Sequence, residues 1–227
     1  MIDLKLISIR ERTVRLIASA HHKPPVLEPL ASSFGARTLL EDLESVTSGR
    51  QVAQQVGIPG VGPEALAQGY GYTYINAAFA YPRHAGNRFN SKDWGAWYSA
   101  YSVDTALQEV AFHLTRALES AGGEYDNTTQ YVELFATFQA EFHDMRGCEP
   151  KPDCLDPDTS KAYPLGQSLA SELREAGSNG IIYPSCRCSN SGSCLVAFWP
   201  GLVQEFQKGH TWALTWAGSP TPTITKT

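Results

Sequence analysis

The period of the apolar positions changes several times along the 227 residues, and each change marks an element. In residues 4–20, Leu4, Ile7, Val14, Leu16 and Ile17 are interspersed with Arg10, Arg12 and Arg15, which predicts a strand running into a short amphipathic helix. A Pro-rich connector, HHKPPVLEP, follows. Residues 37–56 then place Leu39, Leu40, Leu43, Val46, Val52 and Val56 at helical spacing, with Ser48-Gly49 as a break between two helices. The Gly- and Pro-rich stretch 57–71 reads as a loop with a brief helix opened by Pro63-Glu64. No Gly-Lys-Ser/Thr follows its glycines, so it is not a phosphate loop.

From Tyr70 the chain turns aromatic, and YGYTYINAAFAYP predicts a strand with its large side chains on one face. GAWYSAYS is a further strand. It leads into a helix, VDTALQEVAFHLTRALES, whose apolar stripe is Leu107, Val110, Ala111, Leu114 and Leu118, with Ser102 or Asp104 as its cap. Val132, Leu134, Ala136 and Phe138 alternate inward in a strand over 130–144. Three prolines among polar residues make 147–167 a loop, and 167–177 a helix ended by Gly177. GIIYPSCR is a strand and turn, CLVAFWP another strand and VQEFQKGHTWALTW two more short ones, and the tail GSPTPTITKT is expected to be free. Strands and helices mix without βαβ alternation, so the expected class is α+β. Its parts are an N-terminal, mainly helical extension over 1–69, a main domain over 70–217 and a flexible tail over 218–227.

Composition narrows the partners. A net charge of −5 gives no basic field for a polyanion, so direct nucleic-acid binding is not expected, and an anionic ligand must be caught by a local cluster. With no long apolar run and no signal peptide, the expected location is cytoplasmic, away from membrane. The five cysteines are odd in number and confined to the C-terminal half, which suits free thiols, and Cys186, Cys188 and Cys194 lack the paired spacing of a zinc site. No metal is expected.

The chemistry concentrates in GNRFNSKDWGAWYSAYSVDTALQEVAFHL. On a strand, Tyr98 shares a face with the small Ala96 and Ala100, leaving its ring accessible. On the helix, Glu109 falls beside Ala106, Leu107 and Val110, where a carboxylate is expensive unless paired or facing a polar cleft. An arginine fork for phosphate, a ring for stacking and a carboxylate to stabilise an oxocarbenium-like centre together suit NAD+. His113, one turn beyond Glu109, reads as a structural histidine.

The order Arg88-Phe89-Asn90, Gly95, Tyr98, Thr105-Ala106-Leu107, Glu109, then Gly180 to Arg187 and CLVAFWP, resembles the RES domain, whose members are toxins of bacterial toxin–antitoxin pairs. The resemblance implies an ADP-ribosyltransferase-like core of small β-sheets forming an NAD cleft. It implies Glu109 as the catalytic carboxylate, Arg88 at phosphate or ribose, Tyr98 against nicotinamide, and Ser185 and Arg187 as further ligand contacts. Ser185 follows Pro184 in a turn without a nucleophile elbow, so it reads as a binding residue. NAD+ enters as substrate, with transfer to water, phosphate or a target protein. The implied partner is a DNA-binding, Xre-like antitoxin that occludes the cleft. The competing reading is a non-catalytic module that binds a nucleotide or peptide through the same residues.

Overall fold

The computed structural model describes residues 4–19, 58, 60–188 and 191–227. Among these, seven strands form one sheet: β1 (Lys5–Ala18), β2 (Trp97–Ala100), β3 (Asp126–Asp144), β4 (Gly180–Pro184), β5 (Ser193–Ala197), β6 (Gln204–Ala217) and β7 (Thr223–Lys226). Three α-helices accompany them, α1 (Tyr72–Ala80), α2 (Val103–Ser120) and α3 (Thr159–Glu175). The class is α+β, as the mixed pattern predicts.

The strand order is β1-β2-β5-β4-β3-β6-β7, and β1 also pairs with β3. That extra ladder runs from Lys5 opposite Asp144 to Ala18 opposite Tyr131, so the sheet curls until β1, β2, β5, β4 and β3 close on themselves. Every pairing is antiparallel except the short β3–β4 contact at His143 and Asp144. One cluster of buried side chains, including Trp97, Leu134, Phe138, Phe142, Ile182 and Leu195, packs with Phe79 of α1. A second, with Phe89, Leu107, Leu155, Ile181, Val196 and Phe198, packs with residues of α2 and α3. Alternation along each strand divides the side chains between these two cores.

Several elements differ from the sequence expectation. Residues 4–20 are strand almost throughout, because the long ladder with β3 holds them extended. The expected strand at 70–82 is helix α1 instead. Ile75 and Phe79, one turn apart, are buried, and the Asn76 amide exchanges two 3.0 Å hydrogen bonds with the backbone of Ala67. Helix α3 starts within the expected loop, at Thr159, with the Asp158 carboxylate capping the Ser160 amide at 2.9 Å. The stretch expected as two short strands after Val203 is the single strand β6, and the tail adds β7 along it. The two helices expected over 37–56 lie outside the described residues.

A bulge between Val132 and Leu134 interrupts the β3–β6 ladder. Glu133, 2% exposed, fills it. Its carboxylate accepts the Trp212 indole N–H at 2.6 Å and the His210 amide at 2.8 Å, so the interruption strands neither donor.

Candidate active site

Helix α2 is aimed by its cap: the Ser102 hydroxyl accepts the Thr105 amide at 3.1 Å, and Thr105, Ala106 and Leu107 are buried against the sheet. That anchoring places Glu109, half-buried, on the flank of the helix rather than beneath it. β2 runs alongside in register with β5, Tyr98 opposite Val196. Gly95, just before β2, faces the backbone carbonyls of Ala78 and Phe79, and any Cβ there would collide with them. Close approach of α1 therefore requires this glycine.

Between these elements lies a cleft of about 250 Å3 lined by Arg88, Tyr98, Glu109 and Arg187, together with Arg15, Arg83, His113 and Tyr163. Ser185 joins them through a hydrogen bond. Its hydroxyl donates to Glu109 Oε1 at 2.6 Å and accepts the amides of Arg187 and Cys188, each at 3.1 Å. The tight turn after Pro184 thus fixes one carboxylate oxygen, and all five residues singled out from the sequence meet at one place.

Each has a defined setting. Arg88 is 7% exposed, with Nη1 donating to the carbonyls of Cys154 at 2.6 Å and Asp156 at 3.1 Å, and its guanidinium lies 5.6 Å from the Tyr163 ring centre. The Tyr98 hydroxyl accepts the Phe89 amide and donates to Asn90 Oδ1, both at 2.9 Å. Burial pushes its pKa far upward, so it stays protonated and the ring is held as a wall. Arg187 donates from Nη2 to the Pro157 carbonyl at 2.7 Å and stacks 3.6 Å over Phe112. Burial, then Arg88, lowers its pKa, while Glu109 raises it.

Among the described residues, Glu109 is the sole carboxylate lining the cleft, against four arginines. Its second oxygen, Oε2, lies 3.9 Å from His113 Nε2. Burial, followed by the fields of Arg83, Arg187, Arg88 and Arg116, brings the His113 pKa down to about 4, so the imidazole is neutral at pH 7. The site therefore sets one anionic group in a strongly cationic pocket, beside an aromatic wall.

Arg15, Arg83 and Tyr163 were not among the residues singled out. Arg83 carries a weak signal, a second arginine in the same loop as Arg88, whereas Arg15 and Tyr163 reach the cleft only through tertiary folding. The cysteines are free, and Cys186 and Cys194 face the cleft. Among the described residues, no group of three or more His, Cys, Asp or Glu side chains is placed to hold a metal ion. No described helix is long and apolar enough to cross a membrane.

Comparison with known proteins gives two findings. The RES domain matches residues 65–217, well over half of the chain. The chain is also similar to a crystal structure of the M. tuberculosis MbcT–MbcA toxin–antitoxin complex, at 15% identity and a TM-score of 0.43, with 92% of this chain and 87% of that chain covered. No curated protein matches.

Proposed function

The chain belongs to the RES domain family, and from that premise we propose that it is the toxin of a toxin–antitoxin pair, an enzyme that cleaves the nicotinamide–ribose bond of NAD+. The observation that carries this reading is the pairing of Ser185 with Glu109 at 2.6 Å inside a cleft walled by Tyr98 and four arginines. Such a pocket suits a ligand with anionic phosphates at one part and a developing cation at another.

Nicotinamide leaves as a neutral base and needs no proton from the protein. The barrier lies in positive charge on the ribose, which Glu109 offsets, and its orientation is fixed because Ser185 occupies Oε1. Tyr98 offers a flat face to nicotinamide, its hydroxyl already committed to Phe89 and Asn90. Arg88 and Arg187 border the ribose and phosphate region. The ADP-ribosyl group then passes to water, to inorganic phosphate or to a side chain of a target protein. The partner of this reading is a DNA-binding, Xre-like antitoxin that occupies the cleft mouth and blocks NAD+.

The test incubates the purified chain with NAD+ labelled in its adenylate, with and without cell extract, and follows free nicotinamide and label on protein. Nicotinamide released without extract establishes NAD+ degradation with a small acceptor. Label on a single extract protein establishes a transferase. Silence in both removes the enzyme and leaves a binding module.

A further inference from the structure

Four of the five cysteines gather around Ser185, and the chemistry proposed above uses none of them. Cys186 and Cys188 lie in the turn that follows it, both half-buried. Cys194, on β5, stands opposite Tyr183 of β4, and Cys154 lies in the 3-10 turn Asp153–Leu155; each of these two is 3% exposed. All are free thiols. Their surroundings differ. Cys188 Sγ accepts the Thr105 hydroxyl at 3.7 Å, which holds it to the start of α2, and Cys194 is fixed within the β4–β5 ladder. Cys186 instead faces the turn that carries Cys154: its thiol donates at 3.0 Å to the carbonyl of Leu155, the next residue along. Burial raises the Cys154 pKa to about 11, Arg88 opposes that rise, and Cys186 adds to it, so the two sulfurs sense one another.

The segments that bear this pair also bear the site. The Cys154 carbonyl accepts Arg88 Nη1 at 2.6 Å, and Ser185, which donates to Glu109 Oε1 at 2.6 Å, immediately precedes Cys186. A covalent link between residues 154 and 186 takes the Cys186 sulfur off the Leu155 carbonyl and moves the residue next to Ser185.

We propose that Cys186 and Cys154 form a redox-sensitive thiol pair, which a peroxide converts to a disulfide that draws Ser185 away from Glu109 and stops the reaction. Cys186 borders the cleft and meets the peroxide first, whereas Cys154 is enclosed. With hydrogen peroxide, the Cys186 sulfur takes one oxygen to become a sulfenic acid and the other leaves as water. The Cys154 sulfur then attacks the sulfenic sulfur, and its proton departs with the displaced hydroxide as a second water. Two thiols are thereby oxidised and one peroxide is reduced, and a dithiol reductant reverses the bridge by exchange. The loss of activity rests on the function proposed above; the bridge rests on the thiols alone.

The experiment treats the full chain with hydrogen peroxide, maps disulfide-linked peptides by mass spectrometry, and measures nicotinamide release from NAD+ before treatment, after it, and after dithiothreitol. Wild type, Cys186→Ser, Cys154→Ser and Cys148→Ser are compared, each against its own reduced form. Cys148, beyond the end of β3, donates to the Asp144 carbonyl at 4.0 Å and serves as the control. The wild type and Cys148→Ser are expected to yield a 154–186 linked peptide and to lose release by about 10–100-fold, the effect of removing the Ser185 contact, with recovery in dithiothreitol. Cys186→Ser and Cys154→Ser are expected to keep their own reduced rates after peroxide. Cys186 is half-buried, so its variant carries the test even if Cys154→Ser fails to fold. Absence of the 154–186 peptide, or a bridged protein that releases nicotinamide as fast as the reduced one, overturns the proposal, as does a Cys186→Ser protein inactivated like the wild type. A bridged peptide from a chain that releases no nicotinamide even when reduced upholds the thiol pair and sinks the NAD+ reading instead.

Discussion

Replacing Ser185 by alanine isolates the contact on which the proposed chemistry depends. The hydroxyl makes three hydrogen bonds, one donated to Glu109 Oε1 at 2.6 Å and two accepted from the amides of Arg187 and Cys188 at 3.1 Å. The first involves a carboxylate, and a hydrogen bond to a charged group contributes about 1.5–3 kcal/mol. If the full contribution acts at the transition state, where Glu109 faces charge growing on the ribose, the rate falls by about 10–100-fold. The two amides lie in a half-buried turn that water reaches, so the stability loss should be near 1 kcal/mol. The assay is initial-rate release of nicotinamide over a range of NAD+ concentrations, with thermal melting as a control on folding. A drop in kcat with little change in KM is expected, because the contact serves charge that appears only in the transition state. Ser185→Thr, which keeps a hydroxyl, should recover much of the rate. A Ser185→Ala enzyme with unchanged kcat would refute the idea that this turn orients the carboxylate.

Two other outcomes follow from buried groups. Glu133→Ala strands the Trp212 indole N–H and the His210 amide at the β3 bulge, so the urea midpoint should fall by the equivalent of about 3 kcal/mol, without direct effect on the cleft. His113 has its ordinary pKa of 6.5 in the unfolded chain but about 4 in the folded one, so the unfolded state binds more protons between those values. Stability should therefore decline as pH falls from about 6.5 to 4, by about 1–2 kcal/mol after allowance for partial exposure, and His113→Gln should lack that component in urea titrations at the two pH values.

The parts of the molecule legible in the sequence are those whose signal is local. Helix α2 announces itself through its apolar stripe and Ser102 cap, and β3 through alternation from Val132 to Phe138. The spacing of Arg88, Tyr98 and Glu109 could be read because a strand, a turn and a helix in immediate succession bring them to one side. Helix α1 carries a strand-like local pattern because its tyrosines and Ile75 favour extended structure in isolation. The burial of Ile75 and Phe79 on one face decides otherwise. β1 and β7 depend on ladders to partners more than a hundred and about ten residues away respectively, and only the first of these is beyond the reach of local pattern. Arg15 and Tyr163 were invisible as site residues for the same reason as β1: nothing near them in the chain marks the cleft they line. The RES domain resemblance supplied Ser185, whose own surroundings read as an ordinary turn.

The most direct measurement compares nicotinamide release from NAD+ by the wild-type chain and by Glu109→Gln, a substitution that keeps the shape and removes the charge. The expected result is steady release by the wild type and a fall of about 100–1000-fold in the variant, with both proteins melting at closely similar temperatures. Equal release by the two would contradict the assignment of Glu109 as the group that stabilises the ribose cation.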